Sequence, residues 1–359
     1  MRTNRIAIVG LGLIGASLAK SFKHNMPNTE IAAFDYPQIL DFALHEKTID
    51  KALSNYKAAL DYEIIFLALP IDHSLKVFKE LLPLLKKNQV ISDLCSVKGI
   101  FADEWKKIDS GGIYIGAHPM TGKEKGGYKN SDNLLFENST FIISEESKKY
   151  DALAEYANLI KIIGAKITFL DPYLHDEIVA KVSHLPQLLS VILVNQAAIK
   201  KNGIQFIDFV AGGFRDMTRI ASSDFNIWES ILKYNKGEIL KSIDFFQADL
   251  NEIKSLVANE KLELLGELFN KARALRDETP INNKGFLDPL FDITVFIKDE
   301  PGMISKISTI LFENRINIKD IELLKIREGT GGNFKLYFDS ISEAEKAKKI
   351  LESIGFKTN

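Results

Sequence analysis

Arg5-Ile-Ala-Ile-Val9-Gly10-Leu-Gly12-Leu-Ile-Gly15 carries the reading of the fold. Arg5–Val9 has the short apolar run of a buried strand, and three glycines then interrupt it. From Ala16 to His24 apolar residues return at helical spacing. The local order is therefore strand, glycine turn, helix. Gly10 permits the tight turn, Gly12 lets backbone N–H groups approach a diphosphate, and Gly15 lets helix and strand pack closely. Leu13 and Ile14 stand at the positive start of the helix, where phosphates settle. A second strand, Glu30 to Phe34, ends at Asp35, 20 residues after Gly15. A carboxylate there accepts from ribose hydroxyls and repels a 2′-phosphate, which favours NAD over NADP.

The alternation continues outward. Glu63 to Leu69 reads as a buried strand that Pro70 ends, and Ile71 to Leu85 is helical in period. Gln89 to Asp93 is the next strand, followed by Leu94-Cys95-Ser96-Val97-Lys98 and another helical stretch. Strands alternating with helices predict a doubly wound parallel sheet, a Rossmann domain over residues 1–170. Ligands collect at the carboxyl ends of such strands, so Pro70, Asp72, Ser96 and Lys98 are expected near the nicotinamide. A lysine in a first helical turn, as at Lys98, is ordinarily solvated.

Composition narrows the classes. Of 359 residues, 46% are hydrophobic and 26% charged, which excludes a mostly disordered chain. Lys+Arg number 46 against Asp+Glu 48, so no global basic field favours nucleic acid or an anionic membrane. The single cysteine, Cys95, cannot form an intramolecular disulfide and suits a reducing compartment, by default the cytoplasm. The glycines that break the N-terminal apolar run speak against a signal peptide, and no run of 18 or more apolar residues predicts a membrane span. No metal-ligand spacing stands out.

Four motifs occur in order: Asp93-Leu-Cys-Ser96-Val-Lys98, Gly116-Ala-His118-Pro119-Met120-Thr121-Gly122, Val182-Ser-His184-Leu-Pro186 and Phe214-Arg215-Asp-Met-Thr-Arg219-Ile-Ala221. Together they resemble the prephenate dehydrogenase family of tyrosine biosynthesis, over about residues 5 to 280. The resemblance implies NAD-dependent oxidative decarboxylation of prephenate to 4-hydroxyphenylpyruvate. It implies that His118 accepts the substrate hydroxyl proton, with Ser96 near that hydroxyl and His184 placing the substrate. It implies that Arg219 grips a carboxylate, with Arg215 a second clamp, and that Thr121 and Gly122 shape the His118 loop. A guanidinium can hold a carboxylate bidentately, as a lysine cannot. His175, in a His-Asp pair frequent in the family, is expected to support the pocket or an interface.

One position departs from the family. Many members carry a second histidine three residues after the first, and here it is Gln187, which cannot change charge near neutral pH. That bears on substrate choice, and arogenate, with an amino group in place of the keto group, remains the alternative substrate. A β-hydroxyacid dehydrogenase shares the architecture but lacks these motifs. A non-catalytic NAD and amino-acid sensor is the reading from another class, against which His118, Ser96 and Arg219 stand together. No chorismate-mutase-like extension is recognisable, so one activity is expected.

Residues 171–280 are helical in pattern, with apolar stripes larger than one small domain must bury, and the family implies an intertwined homodimer there. Thr279 to Pro289 reads as a linker. Residues 290–359 then change to a βαββαβ pattern, a ferredoxin-like α+β domain. Lys298-Asp299-Glu300-Pro301-Gly302-Met303, with Asn317-Ile318, resembles an ACT regulatory domain. The resemblance implies an amino-acid effector, tyrosine, bound by Asp299, Gly302, Met303, Asn317 and Ile318.

Overall fold

The computed structural model describes residues 5–123, 125–278, 290–298, 300–327 and 331–358. The chain divides into two compact units, Met1–Leu268 and Phe269–Asn359. The first unit opens with β1 (Arg5–Val9), α1 (Leu13–Asn25), β2 (Glu30–Phe34), α2 (Pro37–His45) and β3 (Lys51–Ala52). It continues with β4 (Ile64–Leu67), α3 (Ile71–Leu81), β5 (Val90–Asp93), α4 (Gly99–Lys106) and β6 (Ile113–Tyr114). These strands form one parallel sheet in the order β3-β2-β1-β4-β5-β6.

The alternation of side chains along a strand sends β1 residues to two cores. Ile6 and Ile8 face a cluster with Leu18, Phe22 and Tyr156. Ala7 and Val9 face another with Phe78, Phe101 and Tyr114. A parallel sheet covered on both faces needs near-continuous apolar strands, which is why RIAIV, EIAAF and IIFL do not alternate with polar residues.

The regular alternation stops after β6. The chain leaves the main sheet and forms β7 (Ala117–Pro119), β8 (Thr140–Ser144), α5 (Ala152–Ile162) and β9 (Lys166–Leu170). These strands make a separate three-stranded sheet, antiparallel between β7 and β8 and parallel between β8 and β9. The doubly wound reading did not contain this sheet, because β7 is too short for a period to show. It puts His118 on a strand, opposite Ile142, rather than in a loop.

Next come α6 (Pro172–Val179) and α7 (Leu185–Ala197), continuous through a five-residue π turn, Ala180–His184. Asp171 caps the start, its carboxylate accepting from the Tyr173 and Leu174 N–H groups. Pro186 lacks an N–H and would crowd the carbonyl four residues back, and the widened turn before it accommodates both defects. This 26-residue helix is long and apolar enough to cross a membrane by length and composition, which scanning for unbroken apolar runs did not anticipate. Within the protein, its His184, Gln187 and Ser190 are buried and hydrogen-bonded.

A short hairpin, β10 (Lys200–Lys201) and β11 (Ile204–Gln205), leads to α8 (Gly212–Thr218), α9 (Phe225–Tyr234), α10 (Lys236–Ala258) and α11 (Leu262–Glu278). Asp72 at the start of α3 ties α9 to the parallel-sheet region: it accepts from Ser230, from Lys233 at 2.6 Å and from Tyr234 at 2.7 Å. These hydrogen bonds, Lys233 first, hold its carboxyl down at about 2.

The second unit contains β12 (Phe291–Ile297), α12 (Met303–Glu313), β13 (Asp320–Arg327), β14 (Gly331–Phe338), α13 (Ile341–Ser353) and β15 (Lys357–Thr358). The order β13-β14-β12-β15, antiparallel throughout, is that of a small ferredoxin-like sheet. Ile293, Val295 and Ile297 alternate inward onto Ile307, Leu311 and Leu351. The expected linker 279–289 lies outside the described residues.

Candidate active site

A cleft of about 900 Å³ runs over the carboxyl ends of β1, β2 and β4, lined among others by Gly10, Gly12, Asp35, Pro70 and His73. Gly10 has φ +101°, and a Cβ there would stand 2.7 Å from the Ala68 carbonyl oxygen. A Cβ on Gly15 would come within 1.9 Å of the Gly10 carbonyl oxygen. A Cβ on Gly12 meets no protein atom within 4 Å, so the fold does not require glycine there; a diphosphate against the first turn of α1 would. Leu13 and Ile14 open α1, whose first turn holds no acidic residue to compete with an anion. Asp35 accepts from the Leu11 N–H at 2.5 Å and the Tyr36 N–H at 2.6 Å, which fixes its carboxylate at the cleft. These residues fit a dinucleotide with an unphosphorylated ribose.

Beyond β5 the chain folds over a buried charge pair. The Lys98 ammonium donates to Asp93, whose other oxygen accepts from the Tyr114 hydroxyl at 2.7 Å. Lys98 is thus buried rather than solvated: α4 starts inside the protein, and a lysine there needs a carboxylate. Ser96, partly accessible, sits in the bend between the two. Burial pushes the Cys95 thiol up to about 12, so it is no nucleophile.

His118 Nδ1 lies 2.8 Å from His175 Nε2, and His175 Nδ1 lies 2.8 Å from Asp176 Oδ1. His118 stays partly accessible, while dense surroundings hold its pKa well below the ordinary value, and positive charge on His175, Lys98 or His184 would lower it further. His175 is buried and its pKa is lowered for the same reason. His184, buried in the π turn, packs T-shaped with Trp228 and accepts from Asn235 Nδ2 at 3.2 Å; burial brings it down to about 4. All three imidazoles are neutral at physiological pH. Asn235 also donates to the Asp176 carbonyl at 2.8 Å.

Arg215 lies on α8 and Arg219 in the 3₁₀ turn after it, both exposed. Gln187 holds that turn: its Nε2 donates to the Ile220 carbonyl at 3.0 Å. Thr121 donates to the Leu135 carbonyl at 3.1 Å and so anchors the loop after His118, with Gly122 next to it. Sequence reasoning missed Asp176, Asn235 and Trp228 as neighbours of the imidazoles, and only the His-Asp pair at 175–176 offered a signal.

In the second unit a cavity of about 440 Å³ is lined by Lys298, Gly302, Met303 and Phe334 among others. Gly302, with φ +86°, caps the start of α12. Asn317 is exposed and Ile318 packs on the core of this unit, so neither lines that cavity. Asp299 lies outside the described residues.

A glycine-cradled cleft at the carboxyl end of a parallel sheet, with neutral imidazoles and a following helical region, defines a dinucleotide-dependent oxidoreductase. Residues 18–169 match the prephenate dehydrogenase nucleotide-binding domain and residues 171–271 the prephenate dehydrogenase dimerization domain. The chain is 31% identical to prephenate dehydrogenase of Bacillus subtilis (strain 168), over 97% of this chain and 95% of that one. The crystal structure of prephenate dehydrogenase from Aquifex aeolicus in complex with hydroxyphenyl propionate and NAD+ is similar at a TM-score of 0.70. Its identity is 28%, covering 77% of this chain and 99% of that one. Synechocystis arogenate dehydrogenase matches at TM-score 0.68 and 28% identity, covering 76% and 99%. This chain belongs to the prephenate dehydrogenase family.

Proposed function

We propose that the chain oxidises prephenate to 4-hydroxyphenylpyruvate and CO2 with NAD, in tyrosine biosynthesis. The observation that carries this is His118 hydrogen-bonded to the His175–Asp176 pair, in a chain whose nucleotide-binding and dimerization regions match the prephenate dehydrogenase models. Bound NAD, held by Gly10, Gly12, Gly15, the α1 start at Leu13 and Ile14, Asp35 and Pro70, supplies the hydride acceptor. His118 takes the C4 hydroxyl proton as hydride leaves C4. Loss of the ring carboxylate as CO2 aromatises the ring, and the proton returns from the imidazolium to the phenolate oxygen. Ser96 orients the hydroxyl, Arg219 and Arg215 grip carboxylate, and His184 places the side chain. The reading divides the chain into 1–170 for NAD, 171–280 for substrate and dimerisation, and 290–359 for regulation.

In the same reading two copies join through the helical region, and tyrosine is the effector, bound in the 440 Å³ cavity of an ACT-like domain. N–H groups at the start of α12 suit its carboxylate. The enzyme works in the cytoplasm, where the Cys95 thiol stays reduced. NADH absorbance, followed with prephenate and with arogenate in parallel, tests the reading. The expected result is turnover of prephenate, inhibited by tyrosine in the full chain and far less in a 1–285 truncation. Turnover of arogenate alone assigns the other substrate, and an equally sensitive truncation removes the tail as the sensor.

A further inference from the structure

Asp176 fixes the direction of a hydrogen-bond chain that ends at His118. Its Oδ1 accepts the Lys98 N–H at 2.7 Å and its Oδ2 the Gly99 N–H at 2.8 Å, both at the start of α4. A carboxylate held by two backbone donors is an acceptor, so the His175 nitrogen 2.8 Å from Oδ1 is a donor. A neutral imidazole carries one N–H. With Nδ1 protonated, His175 Nε2 presents a lone pair. The atom 2.8 Å from that lone pair is His118 Nδ1, which must then carry the hydrogen. By the same count, His118 Nε2 is bare.

We propose that His175 and Asp176 are positioning residues that hold His118 in its Nδ1–H tautomer, so that Nε2 is the nitrogen that takes the substrate proton. This rests on the reading of His118 as the base and deepens it. The usual tautomer of free neutral histidine is the opposite one, Nε2–H, which would point a donor where an acceptor is needed. The charged groups around the chain are Lys98, Asp93 and Asp176, and the titratable His184, neutral at physiological pH, faces it as well. Lys98 is paired with Asp93 and disfavours a cation at either ring, while Asp176 favours one at His175. When His118 is protonated at Nε2, its Nδ1–H pulls harder on His175, and His175 leans on Asp176. Charge is spread along the chain with no further proton transferred.

The decisive measurement is the ¹⁵N spectrum of histidine-labelled full-length protein at pH 8, with the His118→Asn spectrum identifying the His118 signal. The proposal expects a protonated Nδ1 and a bare Nε2; a protonated Nε2 overturns it, whatever the variants do. Kinetics give a second arm. His175→Leu is expected to lower kcat by roughly 10- to 100-fold, less than loss of the base itself, with KM for prephenate and NAD within about threefold. His175→Gln keeps a terminal amide oxygen in reach of the His118 N–H and is expected to recover at least about tenfold over His175→Leu. Unchanged kcat in His175→Leu, or no recovery with Gln in a folded protein, overturns the proposal. Failure of the base reading looks different: His118→Asn would keep its turnover while the wild-type tautomer stayed as stated.

Discussion

The parallel-sheet region and the helical region that follows it treat apolar residues in opposite ways. In the first, Ile6, Ile8, Phe66, Phe78 and Ile91 are fully enclosed, and the central strands β1 and β4 are covered on both faces. In the second, Val182, Ile192, Phe209, Phe225, Ile227 and Phe245 are exposed, Phe209 at 74%. Its contributions to the buried core are few: Ala180, Ile231 and Ile239 join the cluster beneath the sheet. One region closes around its own apolar side chains. The other presents the surface of half an object, as a subunit interface does before pairing.

The strongest test of that contrast is Ile192→Glu. In the proposed homodimer an interface between identical copies meets every substitution twice, and two carboxylates buried there without partners would weaken it by at least about 10³-fold. Analytical ultracentrifugation is expected to show monomer at micromolar concentration. A dimer of unchanged affinity breaks the contrast. His118→Asn comes next and acts on the sheet side: turnover falls by about 10²–10⁴-fold with substrate binding less affected, as stopped-flow NADH traces would report. A variant with near-normal turnover takes His118 out of the mechanism.

Arg219→Ala probes the helical side. Loss of a charged hydrogen-bond partner costs about 1.5–3 kcal/mol, so KM for prephenate is expected to rise roughly 10- to 150-fold. A rise in KM for NAD instead would place Arg219 elsewhere. The smallest effect belongs to the tie between the regions. Asp72 has a carboxyl pKa lowered to about 2, so its stabilisation is complete above the unfolded value near 4 and is lost as pH falls toward 2. Because the side chain is 39% exposed, solvent screening reduces the contribution to about 1 kcal/mol. Asp72→Asn is expected to lose that much at pH 7 and almost nothing near pH 2, in urea melts. Equal losses at both pH values would show that charge is not the cause.

Legibility in the sequence followed the same divide. Gly10, Gly15 and Asp35 act within 25 residues of one another, through turn geometry that spacing records, and the βαββαβ tail was readable for a like reason. The His118 cluster draws on residues from 93 to 235, and no local period records that Asp176 reaches the start of α4 or that Asn235 bridges to His184. Lys98 read as solvated because its helix start is ordinary in sequence, and only the fold puts Asp93 against it. Gln187 registered as a departure, whereas its tie to Ile220 depended on where the turn after α8 comes to rest.

The π turn at Ala180–His184 makes the long helix a counting device. A regular helix advances about 100° per residue, and the turn inserts one residue beyond that count. Deleting a single residue there would restore regular winding with everything downstream near its present phase, whereas winding the same number of residues as regular helix would rotate everything downstream by about that angle. Gln187 and Ser190 would swing off the buried side, and Ile192 would change the direction it faces. The phase between catalytic pocket and outer face is therefore stored in the length of five residues, and an evolving sequence can alter it only by a jump.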